Sequence, residues 1–192
     1  MFDAIKAVAL LDLVESLRKQ GSWAGETHVQ KAMFFLNEKE NSPTGFDFTL
    51  YKHGPYSFGL HDFLSVLFAS CLLEHELRPP YGPRLQLTPQ GQMFLQENRK
   101  QLSSQMQAAI MTVAGWFGKK GVSDLERLAT ALWLRKQTPQ ADAQTLANKM
   151  HEIKPHIPFE DALKAIRDEQ FLSAPDRSII AACGLGGHAG SH

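Results

Sequence analysis

The sequence predicts a mainly α-helical protein with a small β component, in which a winged-helix-like N-terminal part precedes a C-terminal helical part. Apolar residues recur at helical spacing along most of the chain, whereas only short stretches alternate apolar with polar residues. A predicted hairpin follows the first helices, which is the element order of a winged helix-turn-helix. We expect a winged-helix-like domain over 1–115, a helical subdomain over 122–173 packed on it, and a disordered tail over 184–192.

Two amphipathic helices are predicted at the start of the chain. Apolar residues between 5 and 17 predict a helix over 3–20, which a glycine ends. The apolar stripe over 29–36 predicts a second helix that begins after Gly25 and ends near Glu38, where a polar segment follows.

The next segment is predicted to be a short strand that leads into a corner and a third helix. Apolar and polar residues alternate over 46–51, which is the period of a strand. Gly54 and Pro55 should turn the chain, and Ser57 should cap a helix whose apolar residues continue to Leu73. We expect this third helix to be mostly buried.

A hairpin and a long helix are predicted to follow. The Pro- and Gly-rich stretch 78–83 separates two short apolar stretches and predicts the turn of a hairpin over 74–87. A proline at the first helical position then opens a helix over 89–115, with a break near 97–104.

Three further helices are predicted in the C-terminal part. Ser123 and Glu126 form a Ser-x-x-Glu pattern, which is typical of a capping box and should start the first of them. Two shorter helices are predicted near 141–152 and 159–169. The turn 154–158 separates them, so the pair resembles a helix-turn-helix hairpin.

The composition is that of a soluble globular protein. Twenty Lys and Arg residues balance 20 Asp and Glu residues, and 43% of the residues are hydrophobic. A net charge of zero excludes a protein whose whole surface attracts polyanions. It does not exclude a local basic patch, and residues 101–150 carry six basic against three acidic side chains. The chain has two cysteines and shows no secretory leader or membrane span, which predicts a cytoplasmic protein without a membrane partner.

The sequence lacks the familiar motifs of catalysis and of cofactor binding. It contains no Cys-x-x-Cys, no His-Glu-x-x-His, no phosphate-binding loop and no Gly-x-Ser-x-Gly elbow. We therefore expect no catalytic residue, no metal and no cofactor. An enzyme built on His53, Ser57 and Asp62, which lie close together in sequence, stays an alternative.

The segment from Tyr51 to Ser57 is the most informative for function. It combines a cation, an imidazole, a Gly-Pro pair, an aromatic ring and a serine at a predicted helix start, where backbone amides favour anions. The alternative is that these residues only build the corner and that Tyr56 packs. The predicted binding surface also takes in one face of the second helix and consists of Gln30, Lys31, Lys52, His53, Tyr56 and Ser57.

Contact with DNA is a second hypothesis. The predicted third helix offers few side chains of the kinds that read base edges, so any contact should be made with phosphates. The predicted phosphate contacts lie on the hairpin and on a basic loop and are Arg78, Arg84, Lys119 and Lys120.

Three segments resemble a known family. They read His28-Val-Gln-Lys-Ala-Met-Phe-Phe-Leu36, Tyr51-Lys-His-Gly-Pro-Tyr-Ser57 and Leu87-Thr-Pro-Gln-Gly91. With the helices that follow as far as Leu172, the chain resembles the YwgA-type bacterial proteins. Its Gly-Pro-Tyr-Ser corner is distantly similar to the SocA-like, or Panacea-type, antitoxins. The first resemblance implies a mainly helical, winged-helix-like fold, and the second implies binding to a toxin protein.

The leading hypothesis is a non-enzymatic bacterial protein-interaction module, of an antitoxin-like or defence-system accessory kind. Its partner would be another protein, either a toxin or a subunit of a larger complex. The alternative is a winged-helix DNA-binding transcriptional regulator.

Overall fold

The computed structural model describes residues 3–38, 40 and 43–172. These residues are mainly helical and contain two antiparallel two-stranded sheets, which confirms a mainly α fold with a small β component. The tail predicted over 184–192 lies outside the described residues, and the division between 115 and 122 stays a prediction. None of the helices in the described part of the chain is both long and apolar enough to cross a membrane.

The helices and strands follow the predicted order closely. In chain order they are α1 (Ala4–Lys19), α2 (Glu26–Glu38), β1 (Thr49–Tyr51), β2 (Gly54–Tyr56), α3 (Phe58–Ala69), β3 (Leu73–Glu76), β4 (Arg84–Leu87), α4 (Pro89–Asn98), a 3-10 turn (Arg99–Gln101), α5 (Ser104–Phe117), α6 (Val122–Gln137), α7 (Ala143–Ile153) and α8 (Phe159–Phe171). Several helices begin where a side-chain oxygen accepts a backbone N–H three residues on. The capping residues are Asp3, Ser57, Thr88, Ser103 and Asp142.

The first hairpin differs from the single strand and the corner that were predicted here. Strand β1 covers only the end of 46–51, and Gly54 and Pro55 belong to its partner β2 rather than to a turn. Lys52 and His53 form the turn instead. Gly54 follows them with a φ of +86°, a conformation that suits glycine because it has no Cβ.

Helix α3 is not mostly buried, contrary to the prediction. It packs on the core along one face only, through Leu60, Leu64 and Leu67. The opposite face, which includes Phe58 and Val66, is exposed. The prediction failed because a hydrophobic helix surface was assumed to be covered.

Helix α6 does not begin with the predicted capping box. Gly121 is its N-cap and provides no side-chain cap. The carboxylate of Glu126 instead lies among cationic and imidazole groups from other parts of the chain. Because α6 already begins at Val122, Ser123 lies inside its first turn and cannot act as the N-cap.

The core has two apolar clusters that share α6. The larger one surrounds α1 and includes residues of α2, α3, α4, α5 and the second sheet, β3–β4. The smaller one joins α6 to α7 and α8. Because α6 also packs on α2 and β2, the C-terminal helices lie close to the first hairpin.

Candidate functional site

The hairpin β1–β2 and helix α2 enclose a cleft of about 270 Å³, which we call the hairpin cleft. It brings together four of the six predicted binding residues. Its lining includes Glu26, Gln30 and Lys31 from α2 and Tyr51, His53 and Tyr56 from the hairpin. Of the remaining two predicted residues, Lys52 is exposed in the hairpin turn, whereas Ser57 is buried.

Gln30 attaches α2 to the chain just after the hairpin. Its amide Nε2 donates to the Ser57 carbonyl at 2.9 Å, and its Oε1 accepts the Ser57 N–H at 2.9 Å. The Ser57 hydroxyl caps α3 by accepting the Leu60 N–H at 3.2 Å. The Gln30 amide and the Ser57 hydroxyl are both buried and are used in these hydrogen bonds, so they position the hairpin rather than contact a partner.

Lys31 is a buried cation at the inner end of the hairpin cleft. Only 2% of the residue is exposed, and Nζ donates to the Pro55 carbonyl at 2.8 Å. Burial lowers the pKa of Lys31 to about 8, with a further lowering by Lys154 that Glu126 opposes. The side chain therefore holds β2 in place and puts a positive charge beside the cleft at neutral pH.

Glu126 joins the hairpin to the turn between α7 and α8. Its carboxylate lies 3.5 Å from His53 Nδ1, 3.2 Å from His156 Nε2 and 3.6 Å from Lys154 Nζ. Lys154 also donates to the Tyr51 carbonyl at 2.7 Å and to the Lys52 carbonyl. This network therefore fixes the hairpin turn to α6 and to the α7–α8 turn.

Glu126, Lys154 and His156 also belong to this site, although they were not among the predicted binding residues. Local pattern gives no signal for them, because their partners lie many positions away along the chain. Although two imidazoles and a carboxylate meet here, no group of three His, Cys, Asp or Glu side chains within 3–38, 40 and 43–172 is arranged to hold a metal ion.

Three aromatic side chains, Tyr51, Tyr56 and Phe58, form a connected surface that we call the aromatic patch. Their ring centroids are 6.0 Å apart for Tyr51 and Tyr56, 5.8 Å for Tyr51 and Phe58, and 5.1 Å for Tyr56 and Phe58. Tyr51 is 58% exposed and Phe58 is 56% exposed. Tyr51 and Phe58 were not among the predicted binding residues, because their exposure depends on tertiary packing.

Glu26 orients the edge of the aromatic patch. Its carboxylate accepts the Tyr56 hydroxyl at 3.3 Å and lies 2.8 Å from His61 Nδ1. Burial and the Glu26 carboxylate raise the pKa of Tyr56 to about 12, so the phenol stays protonated at neutral pH. The hydrogen bond to Glu26 raises the pKa of His61.

The predicted phosphate contacts divide into two groups. Arg78 and Arg84 both pair with Glu76, at 2.5 and 3.2 Å, which reduces the charge they offer to a ligand. Lys119 and Lys120 line a separate cleft of about 550 Å³, together with Tyr81 at the tip of the second hairpin. The structure thus brings the basic loop to the hairpin tip, away from the lining of the hairpin cleft.

The structure gives little support to an enzyme built on His53 and Ser57. The Ser57 hydroxyl is used in capping α3, and His53 faces Glu126 rather than Ser57.

Scans against protein-family models and against curated protein sequences find no match to this chain. The resemblance to the YwgA-type proteins and to the antitoxins therefore stays a prediction.

Proposed function

We propose that this protein is a protein-interaction module that binds its partner through the aromatic patch and the rim of the hairpin cleft. The observation that carries this proposal is the mutual contact of three aromatic rings, two of which are more than half exposed. Aromatic side chains supply much of the energy of protein interfaces, and connected apolar surface is unfavourable when it faces water.

The support beneath the patch strengthens this proposal. Gln30 and Lys31 hold the hairpin from α2, and Lys154 holds its turn from the C-terminal helices. A surface that is already ordered loses less conformational entropy on binding than a flexible loop does. Lys52 and His53, which are exposed at the turn, supply the polar rim.

The resemblance to antitoxins supports a more specific form of the proposal. On that basis the partner is a toxin or a subunit of a bacterial defence system, met in the cytoplasm, and the module binds it without catalysis. The aromatic patch includes Tyr56 and adjoins Ser57, which both belong to the Gly-Pro-Tyr-Ser segment that carries the resemblance.

DNA binding is a second candidate function, favoured by the cleft between the hairpin tip and the basic loop. Lys119, Lys120 and Tyr81 line it together, and a cation beside an exposed aromatic ring suits a phosphate backbone with adjacent bases. Binding of this kind weakens steeply as the salt concentration rises. Affinity for DNA that does not change with salt would contradict this candidate.

A double substitution tests the aromatic patch. Tyr51→Ser with Phe58→Ser should weaken capture of the protein partner by at least about tenfold, because both rings contribute apolar contact area. The measurement is a pull-down from nuclease-treated lysate of the source cells, with the captured proteins quantified by mass spectrometry at low and moderate salt.

The matched control replaces an exposed tyrosine and an exposed phenylalanine elsewhere. Tyr81 is 70% exposed and Phe171 is 78% exposed, so Tyr81→Ser with Phe171→Ser removes similar side chains from other surfaces. A partner that the control variant retains and the patch variant loses supports the proposal. Equal capture by both variants, at equal melting temperature, would contradict it.

A further inference from the structure

The hairpin cleft has the size of a site for a single residue. Its volume of about 270 Å³ lies below that of most drug-sized ligand sites, and α2 and the hairpin form its two sides. Neither a helix nor an extended strand fits into a space of this size. The cleft can instead receive one side chain together with the polar group attached to it.

The inner end of the cleft carries excess positive charge. Glu126 is the carboxylate that attracts Lys31, yet it is shared with Lys154, His53 and His156. One carboxylate therefore faces two ammonium groups even when both imidazoles are neutral. Lys31 Nζ has three N–H donors, and the Pro55 carbonyl accepts one of them.

The negative charge at the rim is already paired. Glu26 lines the cleft, but its carboxylate contacts His61 and accepts the Tyr56 hydroxyl. The charges of the cleft therefore favour an anionic group at the inner end. The rings of Tyr51 and Tyr56, which also line the cleft, offer an apolar wall to whatever is attached to that anion.

Resting on the proposed function, we infer that the hairpin cleft binds the C-terminal residue of the partner protein. The terminal carboxylate pairs with Lys31 and His53, and an apolar or aromatic side chain packs against Tyr51 and Tyr56. A chain end fits better than an internal Asp or Glu for two reasons. Its carboxylate and its side chain are attached to the same Cα atom, and the main chain has to leave the cleft in one direction only.

Small probes test this inference without the partner. N-acetylphenylalanine reproduces a C-terminal residue, N-acetylphenylalaninamide lacks its carboxylate, and N-acetylaspartate N-methylamide reproduces an internal acidic residue. We expect N-acetylphenylalanine to bind with a Kd on the order of 1 mM. The other two should bind at least about tenfold more weakly, because each lacks one of the two matched groups. Backbone amide shifts at Gly54, which lines the cleft, report the binding.

Two measurements make the assignment specific. Tyr51→Ala should weaken binding of N-acetylphenylalanine several-fold, whereas Phe171→Ala, at an exposed aromatic residue outside the cleft, should not. Lys31 also holds Pro55, so its charge is tested by pH rather than by substitution. Affinity should fall as the pH rises through the Lys31 pKa of about 8, because the ammonium loses its proton. The charged or titratable groups around Lys31 and its cleft are Glu126 on α6, Lys154 in the α7–α8 turn, Glu26 on α2, and Tyr51, His53 and Tyr56 on the hairpin.

The possible outcomes separate this inference from the proposed function. Equal binding of the amide probe, equal binding of the aspartate probe, or no binding of any probe in the low-millimolar range would each overturn the C-terminal assignment. The double substitution at Tyr51 and Phe58 tests the interaction module independently. Loss of the partner in that variant with no probe binding would therefore reject only the inference about the chain end.

Discussion

Replacing Gly91 with alanine is expected to destabilise the protein by about 2 kcal/mol or more. Gly91 lies in the first turn of α4, where a Cβ would approach the Leu72 carbonyl oxygen to 2.0 Å and the Leu72 carbonyl carbon to 2.9 Å. Leu72 cannot move away easily, because its carbonyl also accepts the Thr88 N–H and its neighbour Leu73 pairs with Leu87. The close approach of two backbones therefore requires glycine at this position.

Gly115→Ala is the matched control for this prediction. Gly115 lies inside α5, and an added Cβ would meet no atom within 4 Å. Alanine should therefore stabilise the helix there, by up to about 1 kcal/mol. Chemical denaturation of both variants measures the two changes in the free energy of unfolding. If both substitutions changed the free energy of unfolding by a similar amount in the same direction, the close approach of α4 to Leu72 would be contradicted.

Gln30→Ala is expected to lower the free energy of unfolding by about 2 to 4 kcal/mol. The substitution removes both hydrogen bonds to Ser57 and leaves the buried Ser57 N–H without its acceptor. It also opens a cavity between α2 and the hairpin. Because the hairpin carries the aromatic patch, the variant should bind the partner less well although Gln30 is not exposed.

Gln96→Ala serves as the control, since Gln96 is exposed on α4. That substitution should change the free energy of unfolding by less than about 0.5 kcal/mol. The same denaturation experiment compares the two variants. A Gln30→Ala protein as stable as the Gln96→Ala protein would contradict the role of the Gln30 amide in fixing the hairpin.

Local sequence signals predicted most of the helices because their causes are local. Thr88 caps α4, Ser103 caps α5, and the polar residues between them mark the break predicted near 97–104. The second hairpin follows from its Pro- and Gly-rich turn. The first hairpin was less predictable, because each of its strands has only three residues and contacts from Lys31 and Lys154 hold it in place.

Only part of the candidate site was predicted, because only part of it consists of residues that are close together in sequence. Tyr51 to Ser57 are contiguous, so their unusual chemistry was visible in sequence. Gln30 and Lys31 were predicted as surface residues but are buried, because each of them forms hydrogen bonds to the backbone of the hairpin or of Ser57. Glu126 and Lys154 belong to the site only through tertiary contacts, which no local pattern records.

Photocrosslinking from the aromatic patch would show whether this surface contacts a protein in the cell. A benzophenone amino acid placed at Phe58, and in a separate protein at the exposed control position Phe171, would be irradiated in the source cells. We expect the Phe58 position to yield one discrete protein adduct that Tyr51→Ser abolishes, and the Phe171 position to yield none of that adduct. The same adduct from both positions, or no protein adduct from Phe58, would contradict the assignment of the aromatic patch as a protein-binding surface.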